Sequence, residues 1–189
     1  MVDVIEHRRA ESAASLGQPL PLEALPEAFD FVASVWRNVT GHDLLDAHRV
    51  GSSAELSVPV ATRTDFSSRL SALNDVLKAV RVDDSLIDSE AAKGLAEDSS
   101  IARLKLAVQK RLKSPELDSA VKALSVLQDI VRVRVAIQHQ YAKPDLPTAL
   151  AKLGIDYPPP SWADAWEAVR HRAVDAMRDL RRALESALA

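Results

Sequence analysis

A chain of 189 residues, 47% of them hydrophobic, is long enough for one domain with a sizeable core, and an aromatic content of 4% predicts that this core is aliphatic. The formal charge of −3 excludes nucleic-acid binding through overall positive charge, so any RNA-facing surface would have to be local. The absence of cysteine excludes disulfides, thiolate metal sites and cysteine nucleophiles.

The polar N-terminal residues predict a flexible arm over residues 1–22, which contains Pro19 and Pro21. A single helical domain is expected over residues 23–189. The sequence begins without the apolar segment of a signal peptide and contains no run of about 18 apolar residues. We therefore expect a cytoplasmic protein with no membrane segment.

Apolar residues recur with the helical period through most of the chain and predict an all-α bundle of five or six helices. Pro26 opens the first helix and Gly41 ends it. Residues 49–63 are the least helical, with a short strand or an ordered loop expected there. The long helices are predicted at 64–81, 115–141 and 161–188, with Ser114 and Ser161 as N-caps of the last two.

The stretch VRVRVAIQHQ, residues 131–140, fits two kinds of backbone. Its alternating valines and arginines have the two-residue period of a strand, whereas the preceding residues are strongly helical. A strand would require the helix to stop near Asp129, where there is no Gly, Pro or Asn. We therefore interpret residues 131–140 as the last turns of one long helix.

On a helical wheel of roughly 100° per residue, Arg134 falls inside an apolar stripe centred on Ile130. Arg132 and His139 lie together on the opposite side of this helix. An arginine on an apolar face must pair with a carboxylate, reach the surface or line a cleft. Because Arg134 and His139 are separated by about 140° on a regular helix, a shared site would need long side chains, an irregular helix end or a second protomer.

The sequence from Arg134 to His139 has the form R-x4-H and resembles the motif of HEPN domains, with Tyr141 extending it to R-x4-H-x-Y. The longer form is similar to HEPN toxins of HEPN/MNT toxin–antitoxin pairs. The family usually has a polar residue directly after the arginine, where this chain has Val135. The resemblance covers at most residues 64–189, which would be the HEPN-like core.

The resemblance implies a homodimer whose arginines and histidines line a cleft between protomers. It also implies metal-independent cleavage of RNA, with His139 as general acid or base and Arg134 stabilising the transition state. Arg132 would assist, and Tyr141 would be a site at which a partner nucleotidyltransferase antitoxin silences the toxin. No cofactor and no metal are expected.

Two alternatives remain open at this point. The chain could be a non-catalytic helical module for dimerisation or protein interaction, with Arg134 as a structural residue. It could also bind nucleic acid through basic faces at residues 103–113 and 170–182. Among the other histidines, His171 is expected at the surface, Arg37 and His42 repeat the R-x4-H spacing, and His42 and His48 are too far apart on a helix to chelate a metal together.

Overall fold

The fold, taken from a computed structural model, is described for residues 19–45, 53–95, 99–139 and 145–187. These residues form an all-α bundle, 73% helical and without strands in the ranges just given, so the predicted fold class is confirmed. Seven α-helices are present, two of them short: α1 Ala24–Thr40, α2 Arg63–Lys78, α3 Ser89–Ala92, α4 Ser100–Arg111, α5 Glu116–Gln138, α6 Leu146–Lys152 and α7 Trp162–Ser186.

Local signals explain several of the helix ends. Gly41 ends α1 in the left-handed conformation at φ 77°, which a residue without Cβ adopts at little cost. At the start of α7, the Ser161 side chain accepts a hydrogen bond from the Asp164 N–H at 3.3 Å, as the sequence predicts. The three long helices begin and end within three residues of their predicted limits.

The helix α5 is the centre of the bundle and packs against α2, α4, α6 and α7, most extensively against α7. The apolar stripe predicted around Ile130 is buried: Ala123, Leu127, Ile130 and Val133 are each at most 3% exposed. Burying one such aliphatic side chain stabilises the fold by about 1.5–3 kcal/mol, so this stripe is a major part of the core.

Contacts along the helices give their directions. Phe66 of α2 lies against Trp162 of α7, with ring centroids 5.2 Å apart. Further along both helices, Leu77 and Met177 border the same small apolar space. Since both helices advance together, α2 and α7 are parallel. Leu127 borders that space too, while Gln138 reaches Ser71, so α5 runs antiparallel to α2.

The stretch VRVRVAIQHQ, for which both a strand and a helix were considered, is helical through Gln138. This confirms the helical interpretation of residues 131–138. One other local prediction is wrong, because the N-cap of α5 is Pro115 rather than Ser114. Within the region 49–63, residues 53–57 form 3-10 turns, which agrees with the ordered loop and not with the strand. Arg69 ties these turns to α2 by donating to the Glu55 carbonyl at 3.0 Å.

An ion pair on α7 holds residues 20 and 21, which lie just before α1. Arg170 is 3% exposed; its guanidinium contacts the Glu167 carboxylate at 2.7 Å and donates to the carbonyls of Leu20 and Pro21. Glu167 in turn accepts the Leu20 N–H at 2.7 Å. We call these four residues the entry clamp. Residues 1–18 of the expected arm lie outside the described part of the chain.

None of the described helices is long and apolar enough to cross a membrane.

The entry clamp predicts a large effect of Arg170→Met. The substitution removes one partner of a buried pair and leaves Glu167 and two backbone carbonyls without their donor, so the free energy of unfolding should fall by about 3 kcal/mol. Urea denaturation measures the change. Arg182→Met is the matched control, because Arg182 is exposed and pairs only with Asp179 one turn away; it should change stability by less than about 0.5 kcal/mol. Equal effects of both substitutions would show that the clamp does not stabilise the fold.

A second prediction concerns acid stability. Thr62 caps α2 and exchanges hydrogen bonds with Asp65, and these bonds lower the pKa of Asp65 below its ordinary value of 3.8. A carboxyl whose pKa is lowered in the folded state stabilises the fold above pH 3.8 and loses that contribution as the pH falls through the folded pKa. Denaturation midpoints measured between pH 2 and 7 should therefore fall less steeply with acid in Asp65→Asn than in the wild type. Parallel curves would contradict this.

Candidate functional site

Arg134 lies in the last two turns of α5, inside the apolar surface that the wheel predicted. Its side chain is partly buried, and its Nε is buried without a hydrogen-bond partner. No ion pair or hydrogen bond joins the Arg134 side chain to any residue in the described ranges. No carboxylate among the described residues pairs with Arg134, and its partial exposure lets the end of the guanidinium reach solvent.

This lack of a partner distinguishes Arg134 from the other arginines of the described chain. The other arginines without a partner there are exposed. Every other buried or partly buried arginine pairs with a carboxylate: Arg69 with Glu55, Arg103 with Asp84, Arg170 with Glu167 and Arg181 with Glu185. Arg134 is therefore the partly buried arginine whose charge is not balanced by a contact in the ranges described.

His139 is the C-cap of α5, and its backbone is extended, with φ −121° and ψ 112°. Its N–H still donates to the Val135 carbonyl at 3.0 Å, and its side chain is exposed. The helix end is therefore irregular, which is one of the three arrangements that would allow Arg134 and His139 to share a site.

Arg132 points away from the core and is already paired. It contacts the Asp129 carboxylate at 2.5 Å, and Lys152 of α6 approaches the same carboxylate at 3.8 Å. Both cations are largely exposed, so the attraction is screened by solvent and is worth little stability. Tyr141, the last residue of the extended motif, lies outside the described residues.

Gln138, the last residue of α5, anchors the helix end to α2. Its side-chain amide donates to the Ser71 hydroxyl at 2.8 Å. One turn earlier, Val135 is 38% exposed, an unusual position for an aliphatic residue on the central helix. The end of α5 thus presents Val135 and His139 to solvent while Gln138 holds its orientation.

A polar groove of about 330 Å³ opens beside this helix end, and the sequence alone did not reveal it. Ser67, Ser71 and Asp75 line it at a spacing of four residues on one face of α2, and the turn of residues 53–57 and the end of α5 close it. Gln138 and Glu55 complete its walls. The spacing on α2 was visible in the sequence, but the other walls come from distant segments.

The basic face expected over residues 170–182 is largely neutralised. Arg170 is buried in the entry clamp, which contradicts its placement on a surface patch. His171 is also not simply a surface residue, because its side chain is 23% exposed and its Nε2 lies 3.4 Å from Glu167. Three of the remaining four arginines have acidic neighbours on the same helix, Arg178 with Asp175, Arg181 with Glu185 and Arg182 with Asp179, while Arg172 is exposed.

The basic face of α4 keeps part of its charge. Arg103 pairs with Asp84, and Lys110 approaches two carbonyl oxygens at 3.4 Å. Lys105, Arg111 and Lys113 have no ion pair with the described residues. Three cations spread along a helix and just past its end are a common surface and do not by themselves define a binding site.

The residues near His42 are used in surface ion pairs. His42 lies 3.5 Å from Asp83, and Asp43 lies 3.2 Å from Arg37. Asp46 and His48 are outside the described residues. In the described part of the chain, no three histidine or acidic side chains are grouped as metal ligands would be.

No protein-family model, no curated protein and no solved structure matches this chain.

Because Arg134 has no partner among the described residues, its replacement should cost little stability. In Arg134→Met the aliphatic packing is kept while the partly buried, unpaired guanidinium is removed, so the free energy of unfolding should stay within about 0.5 kcal/mol of the wild type or rise. Urea denaturation of this variant beside Arg170→Met, which has the same change of side chain in a paired setting, tests the contrast. A loss of about 2 kcal/mol or more at Arg134 would identify it as a structural residue.

Proposed function

We propose that this protein is a HEPN-like endoribonuclease of a toxin–antitoxin or defence system, with Arg134 and His139 as its catalytic residues. The observation that carries the proposal is the contrast at the end of α5. Arg134 is partly buried and unpaired among the described residues, and five residues later His139 is exposed at an irregular helix end. A cation without a structural partner and an accessible histidine near the same helix end are residue types that could bind and cleave a phosphodiester.

The proposed reaction is a transesterification within RNA. His139 accepts the proton of a ribose 2′-hydroxyl, and the 2′ oxygen attacks the adjacent phosphorus. The bond from phosphorus to the 5′ oxygen breaks, and this leaving oxygen takes a proton from a general acid. The products are a 2′,3′-cyclic phosphate and a free 5′-hydroxyl. Arg134 stabilises the negative charge on the non-bridging oxygens, and no step uses a metal.

A homodimer would supply the second set of groups. One protomer offers one histidine at the end of α5, whereas the reaction uses both a base and an acid. A second copy placed against the same helix end would bring another His139 and would cover Val135, which is 38% exposed. Arg132 would act from the rim, because Asp129 already pairs with it.

Control by a nucleotidyltransferase-type antitoxin belongs to the same proposal. Tyr141 follows His139 by two residues, so a nucleotidyl group attached to its hydroxyl would place negative charge and bulk beside the proposed site. That change would block an RNA phosphate by repulsion and by occupancy.

A second candidate, a non-catalytic interaction module, is favoured by exposed apolar residues elsewhere. Leu22 and Val58 are each more than 40% exposed and lie close together, since the Ser57 hydroxyl donates to the Leu22 carbonyl at 3.1 Å. Phe31 is 54% exposed, with the Arg181 guanidinium over its ring at 5.7 Å. Such residues suit a protein partner, although scattered exposed side chains are ordinary on a monomer.

The test is cleavage of a mixed-sequence RNA by the purified full-length chain in the presence of EDTA. We expect 2′,3′-cyclic phosphate ends from the wild type, and a loss of about 100-fold or more in rate for His139→Ala and for Arg134→Ala. Arg182→Ala is the control, because it removes an exposed arginine charge elsewhere and should leave the rate unchanged.

The outcomes separate the two candidates. Cleavage that persists in His139→Ala would show that a contaminant or another site is responsible. A wild-type chain that leaves RNA intact, while behaving as a folded dimer in sedimentation, would favour the interaction module.

A further inference from the structure

We infer that the polar groove beside the end of α5 binds a guanine base of the RNA, and that Asp75 is the residue that reads it. This inference rests on the proposed function, since it assigns a substrate preference to the same site. The groove has a volume of about 330 Å³, which is in the range of ligand pockets. It is walled on one side by Gln138, the residue that directly precedes His139.

The charges of the groove exclude the phosphate as its occupant. Two of the lining side chains, Glu55 and Asp75, are acidic, and none is basic. The neighbouring cation is Arg69, and its guanidinium is engaged by the Glu55 carbonyl at 3.0 Å and the Glu55 carboxylate at 3.2 Å. An anionic group would therefore be repelled, and a neutral group rich in N–H donors would be favoured.

The hydrogen-bonding groups that remain open are mostly acceptors. Asp75 is exposed on the groove face of α2, and its side chain has no hydrogen bond or ion pair within the described ranges. The Ser71 hydroxyl accepts from the Gln138 amide nitrogen, so the amide oxygen of Gln138 stays available as an acceptor and the Ser71 hydrogen as a donor. The groove thus offers a carboxylate with an amide oxygen and a hydroxyl nearby.

A carboxylate distinguishes among the four RNA bases by its lack of donors. It accepts two parallel N–H bonds, and guanine alone presents two adjacent donors, N1–H and the N2 amino group, on its pairing edge. Adenine and cytosine place an acceptor next to their amino group, and uracil flanks its single N–H with two carbonyls. A mismatched edge would set an acceptor against the Asp75 carboxylate, which costs affinity.

The groove is also placed to act with the proposed catalytic residue. Gln138 and His139 are consecutive, so their Cα atoms are about 3.8 Å apart. The hydrogen bond from Gln138 to Ser71 fixes the wall of the groove relative to the helix end. A nucleotide with its base in the groove would hold a neighbouring phosphodiester at His139. Guanine binding would thereby select which phosphodiester is cleaved.

The experiment measures nucleoside binding, which does not depend on cleavage. The full-length chain labelled with nitrogen-15 is titrated with guanosine, inosine, adenosine, cytidine and uridine, and the amide shifts of residues 67–75 and 138 are followed. We expect guanosine to bind about tenfold more tightly than inosine, which lacks the N2 amino group and so loses one bond to a charged acceptor.

Two variants assign the preference to one residue. Asp75→Asn should abolish the difference between guanosine and inosine, since an amide offers one donor and one acceptor in place of two acceptors. Asp118→Asn is the matched control, because Asp118 is an exposed aspartate in the first turn of α5 and does not line the groove. It should keep the full preference, and both variants should retain the wild-type circular dichroism.

The failures of the two proposals are distinguishable. Equal affinity for all five nucleosides, shifts produced by spermidine but not by guanosine, or an unchanged preference in Asp75→Asn would each overturn the guanine site. RNA cleavage without guanine preference would leave the endoribonuclease standing and remove this inference. Selective guanosine binding by a chain that cleaves no RNA would leave the guanine site standing and remove the proposed endoribonuclease activity.

Discussion

The antiparallel packing of α5 between α7 and the remaining helices is the constraint on which the structure depends. Because α5 contacts four other helices, most of its surface is enclosed, and a polar residue on it must have a partner, reach solvent or border a cleft. Arg132 and Gln138 meet this condition through Asp129 and Ser71. Arg134 meets it only by partial exposure, since no described residue pairs with its guanidinium. The functional interest of the chain therefore arises from the same enclosure that stabilises it.

Polar residues near the two ends of α7 play different parts in the bundle. Near its start, Glu167 and Arg170 are used wholly for architecture, since their charges balance each other and hold the backbone of residues 20 and 21. Near its end, the arginines alternate with acids along the exposed face. A sequence count treats all of these arginines alike. In the structure, Arg170 is buried in an ion pair, and the arginines near the end of α7 are mostly paired on the surface. Arg134 differs from both, because it is partly buried and unpaired among the described residues.

Much of the helical framework could be predicted from the sequence, because apolar periodicity and capping signals act over a few residues. The stripe on α5, the Gly41 terminus and the Ser161 cap are of this kind. The entry clamp and the groove could not be predicted, since they join segments far apart in the chain: Leu20 to Glu167, and Gln138 to Ser71. The helical wheel placed Arg134 correctly inside the apolar surface. Whether a carboxylate from another helix pairs with it depends on tertiary contacts, which the wheel does not contain.

The attachment of α1 has a consequence for partial unfolding. This helix packs chiefly on α7, and its entry is held by Arg170 and Glu167, whereas α2, α4, α6 and α7 all contact α5 directly. Phe29 and Val32 of α1 also border the apolar space lined by Leu77 and Leu127, so α1 covers part of α2 and α5 as well as α7. If α1 opened before the rest of the bundle, Phe29, Val32 and Trp36 would meet water together with the face of α7 that they cover. By holding the start of α1 against α7, the ion pair of Arg170 and Glu167 therefore stabilises a part of the core that several helices share.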